Sequence, residues 1–176
     1  SRGDLRVTRD LEHLARSYAE AGADSLSVLV DERHFSGHWD HLARVRSSCG
    51  LPLLAKGFFT DPVDLARARA HGADAVLLIA RVLDVHERRR LVDVAHGLGM
   101  AVLLEVHEAP DLASSEGLDV DAIGVNHRDL RTLDLDRERT RDLAPLLPVG
   151  PLRIAASGLS SRADVERMRA LGYDAV

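Results

Sequence analysis

Of the 23 basic residues in the chain, 22 are arginine and one, Lys56, is lysine. A guanidinium stays protonated in proteins, whereas burial or a neighbouring charge can shift the protonation of an ammonium. Proton transfer therefore selects lysine where a salt bridge does not. Lys56 directly follows Leu53-Leu54-Ala55, an apolar run of strand character. Glu105 closes a second such run, Val102-Leu103-Leu104, where an isolated carboxylate is costly unless paired or hydrogen-bonded. Two further runs end in polar groups: Asn126 and Arg128 follow Gly124-Val125, and Ser157-Gly158 follows Ile154-Ala155-Ala156 and leads into a helix at Ser160-Ser161. Backbone amides at such a small-residue turn suit a phosphate. An acid and a base beside an anion cradle amount to proton-transfer chemistry on a phosphorylated small molecule. Simpler roles are also open to these residues. Lys56 and Glu105 can form a structural ion pair, Arg128 can pair with Asp129 or Asp134, and Asn126 can satisfy loop backbone groups.

The elements that must carry these groups are legible from a recurring phrase in which a turn leads through aspartate into an apolar run. It appears at Gly22-Ala23-Asp24, Gly72-Ala73-Asp74, Asp121-Ala122-Ile123 and Gly172-Tyr173-Asp174, with the aspartates 50, 47 and 53 residues apart. Between successive copies lies another strand candidate: Leu51 to Ala55, Met100 to Leu104, and Leu152 to Ala156. The unit is two strands and two helices. Leu11, Leu14, Ala15, Tyr18 and Ala19 share one helical face after Thr8, with Gly22 as the stop. Asp61-Pro62 is an N-cap followed by proline at the first helical position, and similar starts occur near Asp84 and Ser161. Strands apolar on both faces, each followed by an amphipathic helix, indicate parallel βαβ units.

Unbroken alternation at this period predicts an α/β fold of the TIM (β/α)8-barrel type, with an open doubly wound sheet as the alternative. Seven strands are countable, the last starting just before Val176, and Ser1-Arg2-Gly3-Asp4-Leu5 reads as a loop running into the first helix. The expectation is one barrel domain spanning 1–176, truncated at both ends, without its first strand and most of its last. The longest irregular stretch, Asn126 to Asp136, follows a strand at its carboxyl end, where barrel enzymes carry their chemistry.

Bulk properties narrow the partner classes. At 45% hydrophobic and 29% charged, the chain has the composition of a globular domain. A net charge of −5, with basic residues scattered, gives no footprint for nucleic acid or a membrane surface. One cysteine, Cys49, allows no internal disulfide, and a reducing cytoplasm is the expected compartment. Cys49 precedes the strand ending at Lys56, on the side away from the expected site. His34, His38 and His41 lie close together but lack a metal-ligand signature, and they are read as surface residues on a helix whose apolar side is Trp39, Leu42 and Val45.

The phrases Leu26 to Gly37 (with Phe35), Leu53-Leu54-Ala55-Lys56-Gly57-Phe58, Ala75 to Ile79, Leu104-Glu105-Val106-His107, Gly124-Val125-Asn126-His127-Arg128-Asp129-Leu130 and Ala156-Ser157-Gly158-Leu159 resemble, in order and spacing, the strand-end motifs of the indole-3-glycerol-phosphate synthase family. The resemblance covers essentially the whole chain. It implies a carboxy-lyase of tryptophan biosynthesis. The reaction would be ring closure, decarboxylation and dehydration of 1-(2-carboxyphenylamino)-1-deoxyribulose 5-phosphate, with no metal or organic cofactor. Carried over onto these positions, Lys56 is the general acid, Glu105 the partner acid/base and Asn126 the residue orienting the intermediate. Arg128 holds the anthranilate carboxylate, Phe35, Phe58, Leu77 and Leu130 pack the aromatic ring, and Ser157 and Gly158 grip the phosphate. Other enzymes of the pathway are the candidate protein partners. Two departures stand out: Ala156 replaces a glutamate usual in the family, and Gly57 replaces an acidic residue. They motivate two alternatives, a paralogue acting on a modified anthranilate adduct and a non-catalytic barrel that binds a phosphorylated ligand. The pathway's neighbouring isomerase is disfavoured, because it would need a catalytic cysteine at the end of its first strand.

Overall fold

Runs of leucine, valine, isoleucine and alanine bounded by glycine and aspartate turns form six parallel strands in the computed structural model, which describes residues 10–129 and 132–176. They are β1 (Leu26–Leu29), β2 (Leu53–Lys56), β3 (Ala75–Ile79), β4 (Ala101–Val106), β5 (Ala122–Asn126) and β6 (Leu152–Ala156). Each pairs with the next in sequence order, so every crossover moves one strand along the same sheet. The seventh apolar run contributes an isolated parallel bridge between Ile154 and Ala175. Strands in chain order with a helix on each connection are the arrangement of a barrel wall, and an open doubly wound sheet would reverse direction at a switch point.

Helices α4 (Pro62–Ala70), α5 (Val85–Gly97) and α8 (Arg162–Ala170) start where the sequence predicts, and α1 (Leu11–Glu20) and α3 (Trp39–Ser48) start after Asp10 and His38. The carboxylates of Asp10, Asp61 and Asp84 and the hydroxyl of Ser161 each accept a backbone N–H of the first turn. Asp10 caps α1; Thr8 and the opening Ser1 to Leu5 lie outside the described residues. Three shorter helices escaped the sequence reading: α2 (Glu32–Phe35), α6 (Ala109–Ala113) and α7 (Arg139–Leu143). One turn of helix is too short to display a 3.6-residue period.

Strand alternation divides the sheet into two faces. Val28, Leu53, Ala55, Val76, Leu78, Val102, Leu104, Val125 and Ala155 face the helices and form one core with Leu42, Leu65, Leu91, Ala95 and Met168. The residues between them, including Lys56, Leu77, Glu105 and Asn126, turn to the other face, the lumen side of a barrel wall. Register then sets their heights. Ile79 is level with Glu105, Glu105 with Gly124, and Asn126 with Ala156.

The repeated aspartates explain how that register is held. Asp74, Asp121 and Asp174 each precede a strand, and each carboxylate accepts the backbone N–H of a residue at the start of the neighbouring strand. The donors are Leu53 (2.9 Å), Val102 (2.8 Å) and Arg153 (2.8 Å). Asp74 is in turn held by the Arg46 guanidinium, which also donates to the carbonyls of Leu51 and Gly72.

Candidate active site

Lys56 and Glu105 sit at the carboxyl ends of β2 and β4, with β3 between them, and both project to the lumen side. Lys56 Nζ lies 3.7 Å from Glu105 Oε2. The environments of the two ends differ. The lysine side chain is 35% exposed and that of the glutamate 3%, so an ammonium that can reach solvent approaches a carboxylate that cannot. Such a pair places a proton donor against an acceptor in a water-poor wall, and it equally satisfies the buried charge. Leu77, on the intervening strand, is buried beside them.

His107 follows β4 two residues after Glu105 and therefore shares its face. Its side chain is fully buried, and Nε2 lies 3.5 Å from Glu105 Oε1. Burial holds the imidazole below its ordinary pKa; the Glu105 charge opposes that shift, Arg81 and Arg139 reinforce it, and Asp111 opposes it. The His107 backbone is fixed by donation from its N–H to Asp111 Oδ2 at 2.8 Å, and Arg81 reaches Asp111 and Glu108 from the end of β3.

Asn126 is buried at the end of β5, and two loop contacts hold it. Its Oδ1 accepts the Arg128 backbone N–H at 2.9 Å, and its own carbonyl accepts from Arg139 Nη1 at 2.8 Å. The side-chain amide nitrogen is then the end left to meet a ligand. Arg128 Nη1 donates to the Leu133 carbonyl at 2.9 Å, and an antiparallel bridge joins Arg128 to Leu135, so the loop after β5 folds back on itself. Leu130 lies outside the described residues.

Ser157 and Gly158 form a left-handed pair after β6, with φ of +72° and +67°. Buried His127 pins this turn: its Nδ1 is 2.8 Å from the Ser157 carbonyl and its Nε2 2.8 Å from Thr140 Oγ1. A carbonyl only accepts, so Nδ1 carries the proton and Nε2 accepts from the threonine hydroxyl. Leu135 covers the turn, and a Cβ at Gly158 would lie 3.2 Å from its methyls. The amides of Ser160 and Ser161, which the sequence suggested for a phosphate, are instead taken by the Asp164 carboxylate at 3.1 Å each. Asp164 is the third residue of α8 and closes its capping box, so an internal anion occupies that position. Among the described residues no acceptor lies on the backbone N–H of Gly158 or Leu159, which leaves these two for an external anion.

The aromatic residues cluster on the β1 and β2 side. Phe35, 39% exposed at the end of α2, stacks on Phe58 with centroids 6.0 Å apart, and His34 meets the Phe58 ring edge-on at 5.2 Å. Phe35 also lines an apolar recess of about 530 Å³ between α1, α3 and β1. The recess lies along the edge of β1 that has no partner strand among the described residues. Gly57 faces the packing layer: a Cβ there would lie 3.1 Å from Val30 and 3.6 Å from Phe59, so a side chain would require Val30 to shift by a few tenths of an ångström. Ala156, level with Asn126, presents an apolar side chain on the lumen wall. His34 and His38 are exposed and pair with Asp31, Glu32 and Asp40.

Sequence reasoning missed His107, His127, Arg139 and Asp164. The two-residue spacing from Glu105 was the signal that could have found His107; the others depend on contacts between distant loops.

Comparison with known proteins bears on the fold and on the family. The solved structures most usefully compared are an N-acetylmannosamine-6-phosphate 2-epimerase from Clostridium perfringens (TM-score 0.72, 13% identity, 94% of this chain and 76% of that one) and a 3-hexulose-6-phosphate synthase from Salmonella typhimurium (0.74, 16%, 94% and 82%). At such identities they speak for the barrel-type fold alone. Among sequence relatives, indole-3-glycerol phosphate synthases from Albidiferax ferrireducens and Burkholderia vietnamiensis are 45% and 42% identical over 175 residues, 99% of this chain. The chain spans 66% and 67% of the lengths of these two relatives. The family model for indole-3-glycerol phosphate synthase matches residues 1–176. The chain therefore belongs to the indole-3-glycerol phosphate synthase family.

Proposed function

We propose that the protein catalyses ring closure with decarboxylation and dehydration of 1-(2-carboxyphenylamino)-1-deoxyribulose 5-phosphate to indole-3-glycerol phosphate. The observation that carries this reading is the approach of Lys56 Nζ to within 3.7 Å of Glu105 Oε2 across the carboxyl end of the intervening β3. Lys56 delivers its proton to the ribulose carbonyl oxygen as the carboxylate-bearing ring carbon attacks the carbonyl carbon, and carbon dioxide then leaves from that same ring carbon, restoring the aromatic ring. Glu105 then moves a proton in the loss of water, with Asn126 orienting the intermediate through its free amide end. Arg128 holds the anthranilate carboxylate, while Phe35, Phe58, Leu77 and Leu130 pack the ring. The Ser157-Gly158 turn, with the amides of Gly158 and Leu159, grips the phosphate. General acid catalysis contributes about 10²–10⁴ in rate, and orientation and electrostatics contribute the rest.

The sheet is read as part of a closed eight-strand barrel in which a further strand pairs with β1. In support, β1 has no neighbour on its outer edge among the described residues. Asp24 also occupies the same position in the repeat as the three aspartates that hold the strand before their own. The compartment consistent with this chemistry and with the free thiol of Cys49 is the cytoplasm. The relatives do not favour a modified-substrate paralogue or a binding-only barrel.

A steady-state assay of indole formation tests the reading. Turnover by the protein, reduced about 10²–10⁴-fold in Lys56→Ala with ligand binding retained, is the expected result. Absence of turnover in the unmodified protein, with ligand affinity indifferent to Lys56→Ala, would overturn it.

A further inference from the structure

Three buried side-chain atoms without a hydrogen-bond partner stand out among the described residues: Glu105 Oε1, His107 Nδ1 and His107 Nε2. All three lie at one point of the lumen wall. A polar atom buried without a partner is costly, and native proteins keep few of them. Three together, in contact with the Lys56 pair, form an incompletely closed network at the place where a substrate must be handled.

We propose that His107 is a positioning residue for Glu105: its Nε2–H, aimed at Oε1, holds the carboxylate so that Oε2 stays on the Lys56 ammonium and open to the substrate. This role rests on the reading of Lys56 and Glu105 as the acid and base of the reaction. Nε2 and Oε1 are 3.5 Å apart, and a movement of a few tenths of an ångström converts that separation into a hydrogen bond. Contacts of this kind are often long in unliganded sites and tighten when substrate arrives.

The tautomer follows from electrostatics. With the proton on Nδ1, the Nε2 lone pair would face the lone pairs of a carboxylate, which is repulsive. With the proton on Nε2, an N–H dipole points at the negative oxygen. The ring itself stays neutral because it is fully buried. The charges around it are Glu105, the Lys56 ammonium beyond it, Arg81, Arg139 and Asp111. A neutral donor orients the carboxylate without cancelling its charge, which an imidazolium would do. The His107 backbone is tied to Asp111, which fixes the point from which the ring projects, and full burial leaves the ring little room to turn away.

Two measurements test this. In steady-state kinetics, His107→Leu is expected to lower kcat about tenfold or more with KM changed less than about twofold, since the lost donor acts on a group that works in the chemical step. His107→Gln carries an amide N–H at nearly the reach of Nε2 and restores most of the loss; a residue that only fills space would be replaced better by leucine. In ¹⁵N–¹H spectra of the unliganded protein at pH 7, the His107 ring is expected as the neutral Nε2–H form, with an Hε2 resonance that moves upfield in Glu105→Ala. A Nδ1–H ring, an unmoved resonance, or a leucine variant as active as the unmodified protein would overturn the proposal. If the unmodified protein lacks turnover, the proposed reaction fails, and the spectra still decide whether His107 holds Glu105.

Discussion

The unequal burial of Lys56 and Glu105 makes a prediction about stability that is separable from activity. Breaking a fully buried ion pair from one side costs about 3–5 kcal/mol, and an exposed pair is worth about 0–1 kcal/mol. Here one end is 35% exposed and the other 3%. Lys56→Met strands a carboxylate that bulk water does not reach, and the open lysine end reduces the penalty from the fully buried case to about 2–3 kcal/mol. Glu105→Gln leaves an ammonium free to swing into water, so its cost should stay within about 1 kcal/mol. The double variant should resemble Glu105→Gln, because the orphaned charge is then gone. Urea unfolding at pH 7 with a common m-value, arranged as a double-mutant cycle, reads these differences directly. Turnover should fall about 10²–10⁴-fold in both single variants despite their different stabilities. Glu105→Gln proving as destabilising as Lys56→Met would refute the argument, since the cost would then not follow burial.

Three further outcomes are expected. Gly158→Ala adds a Cβ at φ +67° within 3.2 Å of Leu135, and it should raise KM for the phosphorylated substrate about tenfold with a smaller change in kcat, by steady-state kinetics. Asp74→Ala removes the acceptor of the buried Leu53 N–H and should cost about 1–3 kcal/mol in urea unfolding, with Asp74→Asn costing less because one oxygen remains. Burial lowers the folded-state pKa of His107 below its unfolded value near 6.5, so the unfolded chain binds the extra proton. Its contribution is thus complete above about pH 6.5 and lost as pH falls through the folded value. Stability measured between pH 7 and 5 should decline less steeply in His107→Leu than in the unmodified protein.

Much of the fold was readable because its signals are local. Asp61, Asp84 and Ser161 announce helix starts through bonds made within one turn. Lys56 and Glu105 were readable as a pair because both end apolar runs, and alternation turns both to one face. What escaped depends on partners remote in sequence. Ser160 and Ser161 looked like free amides, but Asp164 answers them by capping geometry that competes with any ligand. His127 reaches Ser157 and Thr140 across the sheet edge, and no periodicity encodes that. For Arg128 the sequence offered Asp129 or Asp134 as a partner, whereas the structure ties one guanidinium nitrogen to the Leu133 carbonyl. The aspartate repeat was plain as a pattern, but its bonds to Leu53, Val102 and Arg153 require the strands to be side by side.

Those three carboxylates act at the end of the wall opposite the chemistry, yet they govern it through parity. A strand sliding by one residue exchanges its two faces. Were β2 to slip against β3, the Lys56 ammonium would be driven among the helices and Ala55 would take its position in the cavity. A single bond from Asp74 to the first amide of β2 thus fixes, three residues later, which side of the wall the lysine occupies.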